Sequence, residues 1–120
     1  MRVLSCLVIA GLAALAIASG AAAHSLLLES TPAAGSTLTA APRELRLRFN
    51  NRIEKPLSKV RLLDSRGAAQ TVELTRDGVP PDWLRAPLPA LGAGRWRVEW
   101  QVLSTDGHVV SGRFEFQIAP

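Results

Sequence analysis

The chain has 120 residues, with 14 Lys and Arg against 10 Asp and Glu, and a formal net charge of +4. This length suits one domain with a single hydrophobic core. The basic residues are interspersed with acidic ones rather than gathered in one run, which argues against nucleic acid as a partner. The sequence contains no phosphate-binding loop, no Ser-His-Asp arrangement and no cysteine-based zinc pattern, which excludes the chemistry that those motifs support.

The first 23 residues have the pattern of a secretory signal peptide. Arg2 supplies a positive charge, the segment 3–18 is apolar and uncharged, and three alanines end at Ala23. We therefore expect export, with cleavage after Ala23, so that residues 1–23 are removed and residues 24–120 form the mature domain. Cleavage also removes Cys6 and Met1, the only sulfur-containing residues. The mature chain then has neither a disulfide nor a sulfur ligand, and its N-terminal residue is His24.

The mature sequence shows repeated strand patterns separated by Pro and Gly. Apolar and polar residues alternate with a period of two, which places the apolar ones on one face of each strand. Seven or so short strands with turns about ten residues apart predict an all-β fold, an immunoglobulin-like antiparallel β-sandwich of Greek-key type. Trp96 and Trp100 share the apolar face of their strand and are interpreted as core residues. The clearest strand patterns are Leu45–Phe49, Val60–Leu63, Thr71–Leu74, Trp96–Val102 and Gly112–Ile118.

The two histidines of the mature chain lie where metal chemistry is plausible. The α-amine and the ring Nδ1 of His24 can bind one metal ion together. Asp106 and His108 flank Gly107, and in an extended stretch their side chains share a face. A sandwich brings its first strand close to loops of this kind, so three nitrogens and one carboxylate oxygen would meet. Such a set in tetragonal geometry suits Cu(II), a tetrahedral Zn(II) could use the same donors, and an ordinary Asp-Gly turn needs no metal.

At this point the mature chain, over essentially all of residues 24–120, resembles the CopC-type periplasmic copper-binding proteins. The stretch 30–36 (STPAAGS) is similar to the opening STPADGA of that family, and 42–49 continues the likeness. The segment 104–116 contains its signature S-x-DGH-x-x-x-G-x-x-x-F. The combination of an export signal, a predicted N-terminal His24 and a late DGH is a specific match, whereas each feature alone would be weak.

The resemblance implies a non-enzymatic periplasmic protein that binds one Cu(II) ion through His24 (amine and Nδ1), Asp106 and His108. We expect a monomer, although a metal bridge between chains through His24 stays open. The protein would sequester copper in copper resistance and homeostasis, or deliver it to an inner-membrane transporter of the CopD type. Members with a second, Cu(I) site carry a methionine-rich loop, which this mature chain lacks, so a Cu(II)-only type is implied. Some members have a carboxylate where this chain has Asn50-Asn51, and an amide there would contribute at most an outer contact.

Two other functions remain as alternatives. A histidine-brace copper enzyme also uses an N-terminal histidine on an immunoglobulin-like sandwich. Against it, the mature chain has no tyrosine, and Asp106 would fill a position that oxygen chemistry needs open. A metal-free structural sandwich would require both His24 and the turn at His108 to be coincidental.

Overall fold

The computed structural model describes residues 26–120, which form eight β-strands and one short 3-10 helix arranged as a two-sheet sandwich. The predicted all-β sandwich is thereby confirmed, with eight strands in place of about seven. No helix in this part of the chain is long and apolar enough to cross a membrane. The elements are β1 (Leu27–Thr31), β2 (Thr37–Leu38), β3 (Glu44–Phe49), the 3-10 helix (Lys55–Leu57), β4 (Lys59–Leu63), β5 (Ala69–Val72), β6 (Trp83–Pro87), β7 (Gly94–Leu103) and β8 (Val109–Ile118).

The two sheets contain three and five strands. One has the order β1-β3-β6, and the other has the order β2-β8-β7-β4-β5. Every pair is antiparallel, as predicted, except the short pairing of β2 with β8, which is parallel. The hairpin of β7 and β8 is longer than the sequence pattern indicates, because Val109 and Val110 continue the ladder opposite Leu103 and Val102. The strand predicted at Thr71–Leu74 instead covers Ala69–Val72.

The core lies between the sheets and follows the period-two pattern. Alternate residues of each long strand are buried, whereas their neighbours carry charges on the outer faces. Burial of this apolar area supplies the main stabilisation, at about 25 cal/mol for each Å² removed from water. The most buried side chains include Leu45, Leu47, Phe49, Val60, Leu62, Leu84, Val98, Val102 and Phe116.

The tryptophans occupy the border of this core rather than its centre. Trp96 and Trp100 are half-buried and pack against the core, so they belong to it without being fully enclosed. The Trp100 ring contacts Phe49 edge-on at a centroid distance of 6.2 Å and Phe114 at 6.1 Å. The sequence leaves the side of Trp83 ambiguous, and the structure places the Arg48 guanidinium 6.0 Å from the centre of its ring.

Gly112 is required because Trp100 lies directly over it. A Cβ atom built on Gly112 would come within 2.1 Å of Trp100 Cζ2. We predict that Gly112→Ala lowers the free energy of unfolding by about 1–3 kcal/mol, since the ring must shift out of its packing. Urea denaturation followed by tryptophan fluorescence measures this change. Gly92→Ala is the matched control, because nothing lies within 4 Å of a Cβ there. Equal stability of the two variants would contradict the packing argument.

Candidate metal centre

Asp106 and His108 lie in the tight turn that joins β7 to β8. The Gly107 amide donates to the Ser104 carbonyl at 2.9 Å, and the Ser104 amide donates to the His108 carbonyl at 2.9 Å. Gly107 has φ = +89°, a conformation that favours glycine over residues with a Cβ. The glycine between Asp106 and His108 is therefore what allows the chain to reverse at this point.

The Asp106 carboxylate folds back onto His108. Its Oδ1 accepts a hydrogen bond from the His108 amide at 3.1 Å, and its Oδ2 lies 3.3 Å from the ring Nδ1. The two side chains are 41% and 55% exposed, so ions in solvent have access to them. With Nδ1 facing the carboxylate, the Nε2 edge of the ring is directed away from Asp106, an arrangement typical of carboxylate-oriented metal ligands.

Asn50 fixes the start of the described chain at the end of β3. The Leu26 amide donates to Asn50 Oδ1 at 2.7 Å, and the Asn50 amide donates to the Leu26 carbonyl at 3.1 Å. His24, the predicted N-terminal ligand, lies outside the described residues. It precedes Leu26 by two positions, and two residues of extended chain span about 7 Å. Asn50 therefore limits where a ligand at position 24 can be.

The segment that follows Asn50 connects Leu26 to the turn that carries Asp106 and His108. The Thr105 amide donates to the Arg52 carbonyl at 3.2 Å, and the Glu54 amide donates to the Leu103 carbonyl at 2.8 Å. Ile53 forms an isolated antiparallel bridge with Ser104, which is buried. The segment 50–54 thus holds Leu26 on one side and the turn on the other, which brings both to the same end of the sandwich.

The role of Asn50 as a scaffold was not predicted from the sequence. The sequence showed an Asn-Asn pair at the end of an alternating strand, which is also a common turn composition, and the resemblance suggested at most an outer contact to a metal ligand. Its hydrogen bond to Leu26 joins residues 24 positions apart, and local patterns do not show such pairing.

Asp106 and His108 alone do not form a complete metal site. Within residues 26–120, no group of three or more His, Cys, Asp or Glu side chains is arranged to hold a metal ion. Any further His, Cys, Asp or Glu ligand of a metal ion at this turn would come from outside that part of the chain, where the predicted ligand His24 lies. The available donors, imidazole and carboxylate, fit Cu(II) or Zn(II).

Known proteins are similar to this chain in sequence and in fold. A family model described as "CopC domain" matches residues 27–119. Protein YobA of Escherichia coli (strain K12) is 31% identical over 98 residues, covering 80% of this chain and 79% of YobA. The crystal structure of CopC from Methylosinus trichosporium OB3b matches with a TM-score of 0.73 and 34% identity, over 81% of this chain and 95% of that one. The crystal structure of PcoC, a methionine-rich copper resistance protein from Escherichia coli, matches with a TM-score of 0.67 and 29% identity, over 80% of this chain and 99% of PcoC.

We predict that Asn50→Ala weakens Cu(II) binding roughly five-fold, because loss of a hydrogen bond worth about 1 kcal/mol frees the segment that precedes Leu26. Competition titration with a chelator of known affinity measures the change in the protein that begins at His24. Asn51→Ala is the matched control, since the hydrogen bond to Leu26 is made by Asn50 alone. Equal weakening of Cu(II) binding by Asn51→Ala and Asn50→Ala would contradict a specific role of the Asn50 side chain.

Proposed function

The chain belongs to the CopC domain family, and on that premise we propose that it is a periplasmic Cu(II)-binding protein that sequesters or delivers copper. The observation that carries this proposal is the convergence at one end of the sandwich. Hydrogen bonds of the segment 50–54 hold both the chain entry at Leu26 and the turn bearing Asp106 and His108. A metal ion between the two would be bound by parts of the chain that are far apart in sequence.

The proposed donors are the amine and Nδ1 of His24, the ring of His108 and the Asp106 carboxylate, with one Cu(II) ion as cargo. Cleavage after Ala23 is part of the proposal, because an uncleaved chain has no amine at His24. Asp106 Oδ2 now lies against Nδ1 of His108. On metal binding we expect Oδ2 to move to the ion, while Oδ1 keeps its hydrogen bond to the His108 amide.

The same donors favour binding over catalysis. A carboxylate beside the second histidine occupies a position that oxygen activation would need open. The chain from His24 onward has no methionine or cysteine, whereas Cu(I) prefers sulfur ligands. The site therefore suits Cu(II) rather than Cu(I), and we expect reduction to release the ion. As a monomer, the protein would pass the ion to an inner-membrane copper transporter of the CopD type.

A Cu(II) titration of ligand variants tests the proposal. We expect one ion per chain, and we expect His108→Ala and Asp106→Ala to weaken binding by more than about 100-fold, beyond the loss usual for outer contacts. Asp77→Ala is the control, because Asp77 also precedes a glycine of positive φ, Gly78, in an exposed turn. Binding that survives the loss of His108 would refute the proposed donor set.

Reduction tests the Cu(II)-only character. We predict that ascorbate lowers the affinity of the loaded protein sharply, because imidazole, amine and carboxylate hold Cu(I) poorly without sulfur. The ion released should appear as the complex of a Cu(I)-specific chelator in solution. Retention of Cu(I) against a weak chelator would show that a second type of site exists.

A further inference from the structure

Two exposed aliphatic residues and a half-buried one border the turn that carries Asp106 and His108. Val109 directly follows His108 and is 58% exposed, and Leu57 is 69% exposed. Leu103 lies opposite Val109 in the β7-β8 ladder. The Leu103 amide donates to Ser58 Oγ at 3.1 Å and its carbonyl accepts from Glu54, so the 3-10 helix between these residues lies against Leu103. We call Leu57, Leu103 and Val109 the apolar row.

The outer face of the five-stranded sheet continues from this row as a polar concavity. The next position along each strand pair brings Lys59 beside Gln101, and Gln101 beside Ser111. The concavity has a volume of about 300 Å³ and is lined by Lys59, Arg61, Glu99, Trp100, Gln101 and Ser111. An aliphatic surface and a polar pocket therefore lie next to each other, and the turn of His108 adjoins them.

The charge around the concavity is mainly positive. Arg61 forms an ion pair with Glu99, and the hydrogen bond from Arg61 lowers the pKa of that carboxyl. Lys59 and Arg113 have no ion-pair partner within residues 26–120. Lys55 is turned away, since its Nζ donates to the Pro80 carbonyl at 3.0 Å. An incoming carboxylate would therefore find an unpaired cation at Lys59.

We propose that the apolar row and this concavity form the docking surface for the protein that exchanges copper with this chain. The partner presents aliphatic side chains beside carboxylates, and it covers the His108 turn when it binds. The identity of the partner as a copper-exchange protein rests on the proposed function. Three aliphatic side chains and one unpaired lysine suit a small, transient interface, as exchange requires.

The charges of the surface favour this partner over a second copy of the chain or a lipid surface. Two copies of the chain would bring Lys59 and Arg113 of one copy against the same cations of the other, which is unfavourable. The row contains no aromatic side chain of the kind that anchors proteins at lipid interfaces. Trp100 lines the concavity, but its ring packs against Phe49 and Phe114, and Glu99 also lies there. A protein surface that carries aliphatic side chains beside carboxylates complements both the apolar row and the concavity.

The test measures binding of the inner-membrane copper transporter, held in nanodiscs, to the protein that begins at His24. We expect Leu57→Asp and Lys59→Glu each to weaken this binding at least ten-fold, and added salt to weaken binding of the unaltered protein. Arg66→Glu is the control for charge, because Arg66 is exposed at the β4-β5 turn, away from the row. Cu(II) titrations of all variants should agree with that of the unaltered protein.

Several results would overturn the proposal. They are no binding to the transporter, equal binding by all variants, and binding to protein-free vesicles of phosphatidylglycerol and phosphatidylcholine with the same dependence on Leu57 and Lys59. A concentration-dependent dimer abolished by Leu57→Asp would assign the surface to a second copy. Docking is measured with and without copper, so failure of Cu(II) binding in the unaltered protein would refute the proposed function separately.

Discussion

The two hydrogen bonds between Leu26 and Asn50 are the constraint on which the candidate site depends. Their lengths are 2.7 and 3.1 Å, and they hold the beginning of the described chain at the end of β3. Without them, the residues before Leu26 would be tethered only by the pairing of β1. With them, Leu26 is held in place, which lowers the ordering cost that a ligand two residues earlier in the chain would have to meet.

The sandwich supports this constraint, because rigid strands hold both Asn50 and the turn that carries Asp106 and His108. β3 is central in its sheet, with β1 on one side and β6 on the other, and its inward residues are almost fully buried. β7 and β8 pair over ten residues each and end in the Gly107 turn. The loop positions of Asp106 and His108 are therefore set by long ladders, and a core without disulfides is sufficient to hold them.

The alternation of apolar and charged residues explains why much of the fold was predictable. The period-two pattern in Leu45–Phe49 and Trp96–Val102 places the correct residues inside, because a shift of one residue would bury arginines and glutamates. The family resemblance indicates in addition which known fold these strands form. The parallel pairing of β2 with β8 was missed, since two residues carry no periodic signal and their partner is far along the chain.

The candidate site was predictable only in part, for the same physical reason. Asp106 and His108 are close in sequence, so their spacing indicates a shared turn. The links from Arg52 to Thr105 and from Asn50 to Leu26 depend on which strands become neighbours, and no local pattern encodes that. The apolar row is hidden from sequence in the same way. The register of β7 and β8 places Val109 opposite Leu103, and hydrogen bonds around the 3-10 helix bring the segment of Leu57 to Leu103.

The most direct test of the account is electron paramagnetic resonance of Cu(II) bound to the protein that begins at His24, compared with the same protein extended by one residue before His24. Extension removes the free amine next to the imidazole and leaves every described contact intact. The account predicts a one-to-one tetragonal, nitrogen-rich signal that the extension abolishes or strongly alters. Identical signals from the two proteins would contradict it, since the N-terminal amine would then not be a ligand.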